Sequence, residues 1–475
     1  MILHSRTLFC IFIIVSIFSL GGLAQSQGYT CDPSQCKPPN CLCASTNPPG
    51  GLAPSNTPQF VTLTFDDSVQ NDIIKTAYTL LNRKNPNGCP ARGTWFVSIQ
   101  YTDMQLVTEW YANGNEVADH TFTHPAQPSE QEIGSCKTIL NSFAGIPRSK
   151  IKGFRAPFLN YTAETLNNVK KQGFVYDSSA SAQTEDAYWP YTLDYGLAND
   201  CWSSANLCQP GVLKIPGLWE IPMHSIVDQQ KLPHVMDPHL AGTTDTVLQW
   251  LKDNFNRHYN GGRQPFGLYV HPAHLTPHPG APDPSANMAM LQNFLNWVQT
   301  MPDVYFVTNE QLLQWVQNPV PKDQVGSQLY MRCTNSQVAA MNKDNSTLAV
   351  AGTQGICNGL NSALAELCIF PDGQWRTCYG CPARMPTVDD PVPPRAAASA
   401  ARHPVPDDCD TIYWDPIGNK CTCTGPECAF KDIAPQISTT NSIATKTSEG
   451  NRPRSDIVSL GMIFATALIS SILAL

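Results

Sequence analysis

Two short stretches of this 475-residue chain hold side chains of the types and spacing that serve chemistry at a divalent ion. Asp66 and Asp67 stand side by side after the run Val61-Thr62-Leu63-Thr64-Phe65. Further on, Glu116-Val117-Ala118-Asp119 leads directly into His120 and His124 of the run HTFTH. One carboxylate with two imidazoles is a ligand set for zinc or a similar cation, with positions left over for water. The second carboxylate, not needed as a ligand, is free to act as a base. Each piece alone has a plainer reading. Asp67-Ser68 can cap a following helix, and two histidines can be packed or surface residues. The conjunction favours the ion, because both stretches sit at the ends of apolar, strand-like runs. HTFTH is not the helical zinc-protease motif, since Thr121 stands where that motif needs glutamate. An iron site with two histidines and one carboxylate shares the ligand types, but the paired aspartates ahead of H-x-x-x-H depart from its spacing.

Positioning these groups requires strands that end together. The β-branched and apolar alternation before Asp66 predicts a buried strand, and α/β folds place chemistry at the C-terminal ends of such strands. Strands are predicted at 61–65, 94–98, 116–119, 151–155, 174–177, 218–223, 267–271 and 304–308. Helical periodicity fills 69–84, 104–113, 129–144, 163–172, 244–258, 285–300 and 310–317. The alternation argues for an α/β fold, an irregular (β/α) barrel of about seven to eight units over 59–320. An open doubly wound sheet is the alternative, but no glycine-rich phosphate loop follows any strand. Three further strand ends carry Arg155, Asp177 and His271, the kinds of group that support a metal hydrolase. The long aromatic insertion 178–217, which holds Trp189, is expected to shape a binding site.

Composition sets the compartment. The net charge of −8, with both signs interspersed, leaves no basic footprint for nucleic acid. Eighteen cysteines and 40 prolines suit a disulfide-bonded exterior protein. Residues 1–24 read as a signal peptide cleaved after Ala24; Cys10 leaves with it, so an odd cysteine remains. A Cys-rich lead-in occupies 25–58, where Cys31, Cys36, Cys41 and Cys43 favour disulfides over a zinc knuckle. Beyond the barrel come a Cys-rich segment at 321–384 and a Pro/Ala-rich linker with a small Cys cluster at 385–436. A Ser/Thr-rich stalk at 437–456 precedes the apolar tail 457–475, which reads as a glycosylphosphatidylinositol signal with attachment near Ser448. A membrane-spanning helix is the alternative there. Asn160 and Asn345 head N-glycosylation sequons.

Taken in order, TFDDS, HTFTH, RAPF, YDSS and LYVHPAH resemble the five motifs of the polysaccharide deacetylase family (carbohydrate esterase family four). CDPSQC, KNPNGCP, WPYTLDY and LWEIP look like its chitin deacetylase-type members, and the resemblance covers 59–320. It implies that Asp66 is the general base, and that Asp67, His120 and His124 hold zinc, with cobalt or manganese possible. It also implies that Arg155 orients Asp66, His271 is the general acid, and Asp177 tunes His271. Phe158, Trp189 and Tyr269 are the candidate substrate contacts. The sequence departs from the family pattern at Thr121 (usually Ser), Phe158 (commonly Tyr) and Tyr269 (usually Leu), the last narrowing the acetyl pocket. The implied activity is metal-dependent N-deacetylation of chitin or a related N-acetylglucosamine polymer by an enzyme tethered to the outer face of the membrane or in the wall or matrix. The alternatives are an O-acetyl esterase acting on xylan and a non-catalytic chitin-binding wall or matrix protein.

Overall fold

The computed structural model describes residues 28–204, 206–333, 365–406, 409 and 414–421. The expected signal peptide at 1–24, stalk at 437–456, apolar tail at 457–475 and the sequon at Asn345 lie outside them. Among the described residues no helix is long and apolar enough to cross a membrane.

Strand β1 (Gln59–Asp67) is the axis of the molecule. Its residues alternate between two cores. Val61, Leu63 and Phe65 enter the large cluster shared with the helices, while Phe60 enters a second cluster on the face it shares, by strand alternation, with Thr64 and Asp66. On one edge β1 pairs in parallel with β7 (Phe266–Val270). Its other edge is divided between β8 (Val304–Val307), beside its first half, and β2 (Thr94–Val97), beside its second. Parallel pairing continues from β2 through β3 (Glu116–Asp119), β4 (Gly153–Phe154) and β5 (Tyr176–Asp177) to β6 (Trp219–Glu220). The sheet therefore curls into the irregular barrel expected of 59–320.

The ladder lapses between β6 and β7. The strand expected at 218–223 stops at Glu220, and Pro222, which has no N–H to donate, lies just beyond. The gap is crossed instead by a parallel bridge from Met236 to Tyr269 and by the Tyr269 hydroxyl, which accepts from the His224 N–H at 2.9 Å. Tyr269 leans back along β7 so far that a Cβ on Gly267 would lie 1.9 Å from its hydroxyl, so a larger residue there would displace the tyrosine ring.

Outside the sheet run α1 (Asn71–Leu81), α2 (Met104–Ala112), α3 (Glu130–Ala144), α4 (Ala163–Lys171), α5 (Thr244–Asn260), α6 (Ser285–Gln299) and α7 (Asn309–Gln317). Thr162 with Thr165, and Thr308 with Gln311, form reciprocal caps that fix where α4 and α7 begin. Disulfides join Cys31 to Cys43, Cys36 to Cys41, Cys89 to Cys333, Cys201 to Cys208 and Cys368 to Cys381. The lead-in is thus stapled rather than metal-bound. Cys136, buried in α3, is a free thiol. In the segment 365–384, Trp375 packs on Phe143 and Tyr379 is fully buried, so both fill cores.

Candidate active site

The two adjacent aspartates diverge. Asp66 stays in the extended strand, only 3% exposed, and faces the interior. Its Oδ1 accepts from Arg155 Nη1 at 2.6 Å. Asp67 ends the strand in a left-handed conformation, φ 80°, which costs energy for any residue with a Cβ. That twist turns its half-exposed carboxylate onto the rim, where Oδ1 lies 3.1 Å from His124 Nε2 and 3.7 Å from His120 Nε2. Its backbone oxygen is held by the Trp95 Nε1–H at 3.0 Å. Burial pushes the Asp67 carboxyl up, but the hydrogen bond to His124 and the charges of His120 and His271 outweigh it and bring it down to about 2.

HTFTH leaves β3 as a tight loop, with Thr121 and His124 both left-handed. Asp119 accepts from the Thr121 N–H at 2.9 Å, and Glu132 on α3 accepts from the N–H groups of Phe122 and Thr123. His120 is buried and its Nδ1 lies 2.7 Å from the Arg155 carbonyl oxygen. A carbonyl can only accept, so Nδ1 carries the proton and Nε2 offers its lone pair towards the aspartates. Burial lowers the His120 imidazole to about 4, against the pull of Asp66 and Asp67, so it is neutral at neutral pH. One ligand atom from each of Asp67, His120 and His124 lies within 4.8 Å of the others. A carboxylate held ionised and a neutral imidazole of fixed tautomer are the donor states that a divalent cation requires, so the residues fit such an ion.

Arg155 is fully buried and wholly engaged. Besides Asp66 it donates to Thr64 Oγ1 at 2.9 Å and to the Ser178 carbonyl at 2.8 Å, and it lies 3.9 Å over the Phe96 ring. Opposite, at the end of β7, His271 Nε2 lies 3.8 Å from Asp67 Oδ2. Its Nδ1 bonds Asp237 Oδ2 at 2.5 Å, and Asp237 Oδ1 accepts from the His271 N–H at 2.8 Å. Burial lowers this imidazole, but the hydrogen bond and charge of Asp237, with Asp66 and Asp67, prevail and raise it to about 9. His271 is therefore a cation at neutral pH. Asp237, His271 and His274 also cluster closely enough for an ion, but the short Nδ1–Oδ2 contact is occupied by a proton and belongs to the mount of His271.

Three expectations are corrected. Asp177 does not reach His271. The turn after β5 folds its carboxylate back to accept from the Ser179 N–H at 2.9 Å and hydroxyl at 2.7 Å, beside its cross-strand neighbour Glu220. Burial raises both of these acids. The carboxylate on His271 is Asp237, from the stretch between β6 and β7. Trp189 lies at the other end of the barrel, its ring 5.3 Å from Trp315 and its Nε1 donating to the Gly262 carbonyl at 3.1 Å. Trp315 in turn packs on Phe60 near the start of β1, about 20 Å of strand away from Asp66. Tyr269 is a buried wall residue, 4% exposed, with its ring 5.3 Å from the Arg155 guanidinium and its hydroxyl spent on His224. Phe158 alone of the aromatic candidates is on the rim. It is 71% exposed, left-handed at φ 57°, and packs edge-on 4.6 Å from His124.

Sequence reasoning missed a second exposed aromatic, Tyr101, also left-handed at φ 66° and 73% exposed. Its turn is stapled between the TFDDS and HTFTH stretches: Ser98 donates to the Asp67 and His120 carbonyls, and Ile99 to that of Thr121. The only sequence signal for Asp237 was the dipeptide Asp-Pro, a turn marker that says nothing about a distant histidine.

The chain is similar to known proteins over this region. The Polysaccharide deacetylase family model matches residues 53–176. Chitin deacetylase 8 of the silkworm Bombyx mori is 34% identical over 382 residues, covering 76% of this chain and 93% of that protein. Chitin deacetylase 1 of the same organism is 33% identical over 320 residues, 61% of this chain and 57% of its own length. Among solved structures, the chitin deacetylase of the fungal pathogen Colletotrichum lindemuthianum aligns with 15% identity and a TM-score of 0.32, covering 54% of this chain and 88% of that one.

Proposed function

The chain belongs to the polysaccharide deacetylase family, and we propose that it hydrolyses the N-acetyl groups of chitin or a related N-acetylglucosamine polymer, releasing acetate and leaving free amines. Asp67, His120 and His124 hold the metal, zinc before cobalt or manganese. The observation that carries this reading is the division of labour between neighbours: Asp67 turns to the histidines while Asp66 stays with Arg155.

When bound there, a divalent ion supplies acidity to a water and polarises the acetyl carbonyl. The rest falls to the protein. Amide hydrolysis needs a base for the attacking water and an acid for the departing nitrogen, each worth about 10²–10⁴-fold. Asp66 Oδ2 is the base: Oδ1 is taken by Arg155, and Oδ2 faces His120 Nε2 at 3.9 Å. Arg155 holds that carboxylate in place through the 2.6 Å contact to Oδ1. His271 Nε2 is the acid, kept charged by Asp237 and placed across Asp67 from the base. The Phe158 N–H, which no acceptor among the described residues takes, is the donor for the developing oxyanion. Phe158 and Tyr101 offer apolar faces on which sugar rings stack.

The disulfides suit an oxidising exterior. Tethering through a lipid attached near Ser448 is supported by the composition of 437–475 alone; release of the enzyme from cells by a phosphoinositide-specific phospholipase tests it. Acetate release from chitin oligomers and from acetylated xylan, assayed side by side, tests the reaction. Release from the oligomers that stops in chelator and returns with zinc is expected. Release from xylan alone would make the enzyme an O-acetyl esterase.

A further inference from the structure

Asn160 heads the sequon Asn160-Tyr161-Thr162, and the fold presents it as an acceptor. It is exposed, and its side-chain amide makes no hydrogen bond among the described residues. The chain on either side is pinned. Phe158 and Leu159 before it are left-handed, Tyr161 after it is buried with its hydroxyl 2.7 Å from Asp200, and Thr162 caps α4. Asn160 thus projects from a rigid turn rather than a floppy loop. The disulfides suit a chain that folds in an oxidising compartment, where sequons are also modified. The place is not neutral: Asn160 lies two positions after Phe158, the rim aromatic on His124, and its carbonyl accepts from the Gln127 N–H at 3.0 Å, in the loop leaving HTFTH.

We infer that Asn160 carries an N-linked glycan standing on the Phe158 side of the catalytic rim, where it limits how far a polymer chain extends past that edge. In the attachment, the Asn160 Nδ2 bonds the anomeric carbon of a polyisoprenyl-diphosphate-linked oligosaccharide. The diphosphate carrier leaves with the bonding electrons and the amide gives up one proton. A bulky, hydrated oligosaccharide on a pinned turn excludes volume beside the cleft without touching the reacting atoms. A substrate short enough to stay over Asp67 never meets it; a long one does. The chain-length effect rests on the deacetylase reading, whereas occupancy of Asn160 does not.

The test uses the full-length chain expressed in insect cells and recovered from the cell surface or the medium. Peptide N-glycosidase treatment in heavy-oxygen water should convert Asn160 to isotopically labelled aspartate, read by peptide mass; a peptide recovered with unmodified asparagine overturns the proposal. Endoglycosidase trimming of the folded, metal-loaded enzyme, which avoids any folding defect, should raise kcat/KM several-fold on long chitin oligomers and leave the dimer unchanged. Asn160→Gln should behave like the trimmed enzyme, and Thr162→Ser, which preserves the sequon, like the untrimmed one. An equal change for all lengths, or none, overturns the restriction at that edge. If untreated enzyme releases no acetate from any oligomer, the deacetylase reading is what has failed, and the peptide mass still decides the glycan.

Discussion

The two sides of the catalytic rim are built by different means. Asp66, Asp67, His120 and Arg155 hang from β1, β3 and β4, within a run of parallel strands paired without a break. Asp237, by contrast, comes from the stretch between β6 and β7, where the ladder lapses and a single bridge and a tyrosine hydroxyl take its place. On the first side, position follows from strand register, so a one-residue change of side-chain direction separates Asp66 from Asp67. On the second, His271 leaves a regular strand but depends on a partner 34 residues earlier in the chain. In the proposed mechanism metal ligation, which tolerates little displacement, falls to the stiff side, and proton donation, which needs only a charged imidazole within reach, falls to the irregular one.

Substitutions on either side can break this contrast. The largest effect is expected from Asp66→Asn, which should lower acetate release by about 10²–10⁴-fold while metal content stays as in the parent; parallel loss of metal would mean the two aspartates exchange roles. Asp237→Asn should act through pH. His271 must be protonated to donate, and Asp237 holds it at about 9, so activity in the parent falls as pH rises through that value. Without Asp237 the fall moves towards the ordinary histidine value near 6.5, with about tenfold or more lost at pH ~8. An unmoved alkaline limb in the kcat/KM profile would remove Asp237 from the proton path. Asp177→Ala should leave that limb in place and instead cost about 1–3 kcal/mol of stability, since the Ser179 N–H is left buried without its acceptor; thermal unfolding and the pH profile together distinguish the two carboxylates. The smallest effect is expected from Tyr269→Phe, which loses one hydrogen bond to His224, about 1 kcal/mol, with KM for oligomers unchanged. A large rise in KM would put Tyr269 in contact with sugar after all.

The same contrast explains what was legible in the sequence. TFDDS and HTFTH pair local spacing with strand ends, whereas the left-handed turn that sends Asp67 to the rim is seen only in the structure. Helix positions followed from apolar periodicity. Asp177 was misread because it does sit at a strand end; only the turn that folds it onto Ser179 disqualifies it, and turn closure depends on backbone angles. Trp189 was misread because an aromatic-rich insertion was expected over the cleft, whereas Trp189 packs on Trp315 at the opposite end of the barrel. Asp237 was invisible because its significance lies wholly in a contact across the fold, with no periodicity to announce it. Tyr101 was hidden for a related reason: only the structure shows its turn fastened to both ligand stretches.

Metal content bears most directly on the central division between the neighbouring aspartates. Parent, Asp66→Asn and Asp67→Asn proteins, each loaded with zinc and dialysed, would be assayed by mass spectrometry of the bound metal. Stoichiometric zinc in the parent and in Asp66→Asn, with loss in Asp67→Asn, is the predicted result. Zinc retained by Asp67→Asn but lost from Asp66→Asn would contradict it.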